Sequence, residues 1–297
     1  MNARERGFLL LCGHLGNPER KPLTTAQFRT LAGRVEAMER HASQRELEDA
    51  DLTALGYDRE AAERIVSLLS EEELLDFYLE KAARAGCVPI TRVSADYPLL
   101  LRKRLGLDSP GCLWARGDVT LLTEPAVAVV GSRDLLPENR RFASEAGRQA
   151  ALQGYVLVSG NARGTDRTAQ EACLAAGGRV ISVVADELWK QPLRERVLYL
   201  SEEDWDEPFS AQRALSRNRC IHALGTKTFV AQTGMERGGT WDGTVKNLRF
   251  GWSPVYGFDD GSEGMNYLAL LGAQLIPPEA LGSFFDLPEC GLSLFDR

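Results

Sequence analysis

"YVLVSGNARGTDRTAQEACLAAGG", Tyr155 to Gly178, passes from four largely apolar residues through a Gly-rich turn into a stretch with helical spacing. A short apolar run that ends in Ser-Gly ahead of a helix reads as a buried parallel strand feeding a helix N-terminus. Ser159, Gly160, Arg163, Gly164 and Asp166 crowd that junction. Bare backbone there lets a ligand approach closely, and helix N–H groups and arginine suit an anion. Asp166 is expected to cap free N–H groups and complement the helix dipole.

The pattern recurs on both sides. "AVAVVG" (126–131) reads as a strand followed by Gly131, Ser132 and Arg133, then by a helix over "ENRRFASEAGRQAALQG" (138–154). "RVISVVA" (179–185) is a third strand, and "SAQRALSRNRCIHALG" (210–225) a helix with Arg213 and Arg217 on one face. "TKTFVAQ" (226–232) is a fourth strand, leading through Arg237, Gly238, Gly239 and Thr240 into a helix. "SPVYGF" (253–258) is a fifth strand, and "EGMNYLALLGAQLI" (263–276) a last helix with an edge strand. Buried strands separated by helices require a parallel sheet covered on both faces. The fold class is therefore α/β, a Rossmann-like doubly wound, mostly parallel sheet.

A small helical domain precedes it. "TTAQFRTLAGRVEAMERH" (24–41) spaces apolar residues as a helix capped by Thr24 or Thr25. "DREAAERIVSLLSEEELLDFYLEKAARAG" (58–86) gives two more, opened by Asp58 and Ser70 and closed by Gly86. "CVPITRV" and "DYPLLLRKRLG" read as a connector. The expected division is 1–115, helical domain and connector, and 116–297, the Rossmann-like domain.

The composition, 44% hydrophobic and 26% charged over 297 residues, is that of an ordinary globular protein. No apolar run approaches the ~20 residues of a membrane span. The opening "MNARERGFLLLCGHLGNPERK" lacks a small-residue cleavage site and does not read as a signal peptide. Six cysteines, none in CxxC, suggest reduced thiols and a cytoplasmic location, and three histidines without paired Cys/His spacing argue against zinc. No metal or cofactor is expected. Net charge is −7, yet residues 126–255 carry 17 Lys and Arg against 15 Asp and Glu, so the acid lies outside the central segment.

Three Gly-rich loops on one sheet edge, each with Ser or Thr and an arginine, describe a phosphate-accepting rim. No catalytic constellation emerges: His14, His41 and His222 lie far from any nucleophile signature, and His222 suits packing. Asp186-Glu187, after the third strand, suits either a ribose or metal partner or a solvated loop.

Taken in order, Gly131-Ser132-Arg133, Ser159-Gly160 with Ala162, Gly164 and Asp166, Phe209 with Arg217-Asn218-Arg219, and Gly238-Gly239-Thr240 resemble the motifs of the DNA-processing protein A (DprA/Smf) family. "SADYPLLLRKRL" and "LWARGD" resemble its lead-in. Thr165, Gln170 and Gln232 depart from the family pattern, as does the "RGGTWDG" loop, and no winged-helix tail is expected after the sheet. The resemblance implies a homodimer that binds single-stranded DNA (ssDNA) in a basic pocket, protects it, and loads the recombinase RecA during DNA uptake or recombination. It carries phosphate- or DNA-binding roles onto the motif residues named above. Arg213 and a base-stacking Trp241 are expected to add to the surface. A passive DNA binder is the favoured reading. A nucleotide-binding sensor remains open, as does a nucleoside-monophosphate phosphoribohydrolase-like enzyme, whose loop "GGTWDGT" resembles but whose Glu is missing.

Overall fold

The computed structural model describes residues 1–38 and 47–288; His41 and Cys290 lie outside them. Five helices open the chain: α1 (Ala3–Cys12), α2 (Thr25–Glu36), α3 (Asp49–Ala54), α4 (Arg59–Leu69) and α5 (Glu72–Arg84). Asn2, Thr24 and Asp58 cap α1, α2 and α4 by accepting from backbone N–H groups. Ser70 closes α4 instead of opening the next helix, and α5 starts after Glu71.

Strand β1 (Val88–Thr91), helix α6 (Leu99–Leu105) and strand β2 (Cys112–Gly117) follow. The expected connector is thus part of the sheet. Strand β2 crosses position 115, pairing antiparallel with β1 on one side and with β6 (Val197–Ser201) on the other, so a division after residue 115 falls inside a strand. The remaining elements alternate: β3 (Ala126–Val130), α7 (Pro137–Leu152), β4 (Val156–Ser159), α8 (Thr165–Ala175), β5 (Arg179–Val183), β6, α9 (Ala211–Ser216), α10 (Asn218–Leu224), β7 (Thr228–Val230), α11 (Gly238–Phe250), β8 (Val255–Phe258), α12 (Glu263–Leu270) and β9 (Gln274–Ile276). The sheet order is β1-β2-β6-β5-β4-β3-β7-β8-β9, parallel from β6 to β9.

Two cores sandwich this sheet. Val127 and Val129 of β3 face one, with Phe142 of α7, Cys173 of α8 and Leu9, Leu10 and Tyr78 from the N-terminal helices. Ala128 and Val130 face the other, with Ile221 of α10, Leu248 of α11 and Met265 of α12. That two-residue alternation is the pleat of a strand buried on both faces. A third core, including Leu31, Leu52 and Ile65, lies among the first four helices. Helix α1 joins it to the sheet, since Leu11 points into it while Leu9 and Leu10 point to the sheet core.

Helices α7 and α8 meet at Gly147, where an added Cβ would lie 2.1 Å from the Ala169 carbonyl oxygen. Alanine favours a helix over glycine by about 1 kcal/mol, whereas overpacking a tight contact costs about 1–3 kcal/mol. The clash involves backbone, which cannot swing away, so it wins. Gly147→Ala is expected to lower the urea unfolding free energy by about 1–2 kcal/mol; an unchanged or raised midpoint would contradict this packing.

Candidate nucleic-acid interface

Strand β3 has parallel neighbours on both sides, β4 and β7, and the chain leaves them in opposite directions. In doubly wound sheets such a switch point opens a crevice at the carboxyl ends of the strands. Here a cleft of about 560 Å³ opens there, lined by the loop after β3, the turn before α8, helices α9 and α10, and the residues leading into α11.

Backbone bonds lock these loops together. Ser132 N–H donates to the Gln232 carbonyl at 2.9 Å, and Thr165 donates to the Ser132 carbonyl through its N–H and its hydroxyl, at 3.2 and 3.0 Å. The Gln232 side chain accepts from Leu136 N–H at 2.9 Å and donates to the Asp134 carbonyl at 3.1 Å. An acid at 232 could not do both. Gly164 holds φ +81°, and a Cβ there would meet the Arg133 carbonyl oxygen at 2.2 Å. Its role is the turn and the close approach of two loops.

Arg217 sits at the junction of α9 and α10, which are two short helices and not one continuous helix. Its side chain is 8% exposed, the nearest carboxylate oxygen is Asp166 Oδ2 at 4.0 Å, and its Nε has no hydrogen-bond partner. Burial pushes this guanidinium down from its ordinary value, with Asp166 pulling it back. Burial pushes the Asp166 carboxyl up, opposed by Arg217. Asp166 does not cap α8. The N-cap is Gly164, without a side-chain bond, and Asp166 accepts from Ala162 N–H at 3.3 Å. Gly160 lies beneath this pair: a Cβ there would fall 2.2 Å from both terminal nitrogens of Arg217.

The expected site residues divide. Gly131, Ser132, Arg133, Asp166, Arg217, Asn218, Gly238, Gly239 and Thr240 line the cleft together. Arg133 and Arg237 are exposed and make no ion pair or hydrogen bond with their side chains among the described residues. Helix α11 begins at Gly238 with no side-chain cap, so its first N–H groups remain free for a ligand. Ser159 and Gly160 are buried below the floor, tied to the amide of Gln170, which donates to the Gly160 carbonyl and Ser182 Oγ. Arg163 stands at the rim, paired with Asp134 at 3.1 Å.

Two of the expected arginines, Arg213 and Arg219, do not line this cleft. Arg213 is buried and donates to the carbonyls of Ala185, Glu207 and Pro208 and to Ser201 Oγ. Arg219 is held by Glu202 at 2.9 Å and by the Asp108 carbonyl at 3.1 Å. Although Arg213 Nε, like Arg217 Nε, has no hydrogen bond of good geometry, it lies 2.9 Å from a Glu203 carboxylate oxygen, and the terminal nitrogens of both Arg213 and Arg219 are held by protein acceptors. Trp241 packs on Tyr267, ring centroids 5.6 Å apart, away from the cleft. Ala162, Ala211 and Ala214 form a small wall of the cleft; Ala162 belongs to a motif named above, whereas Ala211 and Ala214 have no signal beyond the alanines within "SAQRALS".

His222 reaches the cleft floor but belongs to a buried polar network. Its Nδ1 lies 3.3 Å from Thr228 Oγ1 and 3.2 Å from Asn247 Nδ2. Burial pushes its pKa down from 6.5 to about 3, so the folded protein holds it neutral. Its neutral burial stabilises the fold above pH 6.5, and that contribution is lost as pH falls toward 3, because the unfolded chain takes up the proton. Asp204, pushed up to about 6 by burial, acts in the opposite sense, so a difference between proteins isolates the histidine. His222→Gln is expected to lose less stability than the parent between pH 7 and pH 4 in urea titrations; parallel profiles would contradict the assignment.

A family model described as DNA recombination-mediator protein A matches residues 89–277. DNA processing protein DprA of Bacillus subtilis is 29% identical over 217 residues, covering 68% of this chain and 71% of that protein. Its counterpart in Streptococcus pneumoniae is 30% identical over 182 residues, covering 57% and 64%. The X-ray structure of the S. pneumoniae DNA processing protein A aligns with TM-score 0.63 at 21% identity, over 90% of this chain and 99% of that one, which establishes a shared Rossmann-like fold. DNA processing protein A of Helicobacter pylori, studied for its ssDNA binding mode, aligns with TM-score 0.53 at 25% identity, over 64% and 90%. With the family match spanning more than half its length, this chain belongs to the DNA recombination-mediator protein A family, the DprA/Smf proteins.

Proposed function

We propose that this protein binds ssDNA in the switch-point cleft and does no bond chemistry on it. A backbone phosphate sits on Arg217, with Arg133 and the free N–H groups at the start of α11 completing its ligands. The observation that carries this reading is Arg217 itself. An arginine nine-tenths buried, with no carboxylate closer than 4.0 Å and an unsatisfied Nε, is costly unless an anion arrives. The cleft is mixed in charge and open along the β3, β4 and β7 loops, which suits a strand passing through better than a closed small-molecule site. A sequence-blind backbone grip also explains how a chain of net charge −7 binds a polyanion, through one local basic surface.

The finer reading follows the family's description as a recombination mediator. The bound strand is protected and passed to a recombinase of the RecA type, and the protein acts as a homodimer. Helix α12 supports the assembly: Met265 and Leu268 are buried against the sheet, while Tyr267 and Leu270 stay 37% and 68% exposed. Light scattering at micromolar concentration is expected to give twice the 32.7 kDa chain mass; a monomer mass would reject the dimer.

Binding is tested by fluorescence anisotropy with long dT oligonucleotides over a range of salt. Log affinity is expected to fall linearly with log salt, by about 0.7 per phosphate contacted. A charge-assisted contact contributes about 1.5–3 kcal/mol, so Arg133→Ala and Arg217→Ala are each expected to weaken binding about tenfold or more and to flatten the slope. Arg213→Ala is expected to lower stability instead, because it strands the three carbonyls of Ala185, Glu207 and Pro208. Salt-independent affinity, or turnover of a nucleotide, would reject the passive-binder reading.

A further inference from the structure

Beside the cleft, sharing Arg133, Ala162, Ala214 and Arg217 with it, lies a second cavity of about 320 Å³. That volume is at the small end of the ~300–1,000 Å³ of ordinary ligand sites. Its far side combines Asn161 from the turn after β4, Asp186 from the loop after β5 and Phe209 ahead of α9. Phe209 is 57% exposed and has no aromatic partner among the described residues.

Asp186 is the unexpected member. It makes no side-chain hydrogen bond or ion pair among the described residues, although Arg133, Arg163 and Arg217 line the same cavity. Its neighbour Glu187, by contrast, is paired with Lys190 at 2.6 Å. Asn161 spends its amide N–H on Gln191 Oε1 at 2.9 Å, which leaves its own carbonyl oxygen as an acceptor. The cavity therefore holds, beside its arginines, a carboxylate and an amide oxygen that are free to accept. A free carboxylate repels phosphate; it recognises paired N–H donors. Of the four DNA bases, guanine alone sets two adjacent donors, N1–H and N2–H, on its Watson–Crick edge. Adenine and cytosine pair a donor with an acceptor, and thymine flanks one donor with two carbonyls. Single-stranded bases are free to present that edge and to stack on an aromatic ring.

We propose that this second cavity receives the base next to the phosphate on Arg217, stacked on Phe209, with Asp186 accepting from guanine N1–H and N2–H. The strand grip is then sequence-blind along its backbone but prefers guanine at one position. This inference rests on the ssDNA reading above.

The test compares the full chain's affinity for a 20-nucleotide dT strand with its affinity for the same strand carrying one central dG, dA or dC. The dG strand is expected to bind at least about fivefold tighter, as a bidentate base contact allows. Asp186→Ala is expected to erase that preference and to tighten binding of the all-dT strand, because a carboxylate that repels the neighbouring phosphate is removed. Asp186→Asn, which keeps the shape, is expected to erase the preference as well. Equal affinity for all four strands with binding intact would overturn the guanine pocket and leave the ssDNA reading standing. No binding of any strand would overturn the ssDNA reading. In that case a direct titration with guanosine and adenosine monophosphates decides the pocket: Asp186-dependent preference for the guanine nucleotide supports it, and equal or absent binding overturns it.

Discussion

The whole arrangement depends on the reversal of strand order beside β3, from which the chain runs outward through β4 and β5 on one side and, after crossing back, through β7 and β8 on the other. Helices leaving β4 and β7 must cover opposite faces of the sheet, so no helix can close over the carboxyl end of β3. A crevice follows from topology alone. Its floor is backbone, its rim is three loops, and the loops can approach closely only because glycine or a short polar residue stands at each contact. Ser132, Thr165 and Gln232 then tie the loops into one rigid unit.

Within that unit the electrostatics are deliberately incomplete. Arg213 and Arg219, a few residues to either side, have their donors matched by carbonyls and carboxylates and lend rigidity to α9 and α10. Arg217 is buried as deeply as Arg213 but lacks comparable partners, and Asp166 stands too far off to compensate it fully. The different fates of three arginines in one short stretch are what distinguishes scaffold from site. The site's unspent donors are those of Arg217, Arg133 and the start of α11, and they converge on one space.

Much of this was legible in the sequence. The apolar runs at β3, β4, β5, β7 and β8 show as buried strands because each is a short run too brief for a helix and set between stretches of helical spacing or polar turns. The three loops could be assigned to one edge because parallel strands share a direction. Strand β6 shows no such signal: "VLYLS" is flanked by "RER" and "EED", and charge at both ends hid a strand whose five residues are all buried. Strands β1 and β2 escaped because their pairing is antiparallel and joins segments far apart in sequence. The roles of Arg213 and Arg219 could not be read from spacing. Whether an arginine faces a ligand or a carbonyl is settled by tertiary neighbours such as Ala185 and Asp108, which no local pattern reports. Asp166 misled for the same reason: its place in the first helical turn suggests a cap, while its contacts make it the distant counter-ion of Arg217.

The most direct test of the central claim is a crystal structure of the full chain with a short dT oligonucleotide. The account predicts a phosphate oxygen within hydrogen-bond distance of the Arg217 guanidinium, with Arg133 and the first N–H groups of α11 turned to the same phosphate. A strand bound elsewhere, with Arg217 still unpartnered in an empty cleft, would contradict it.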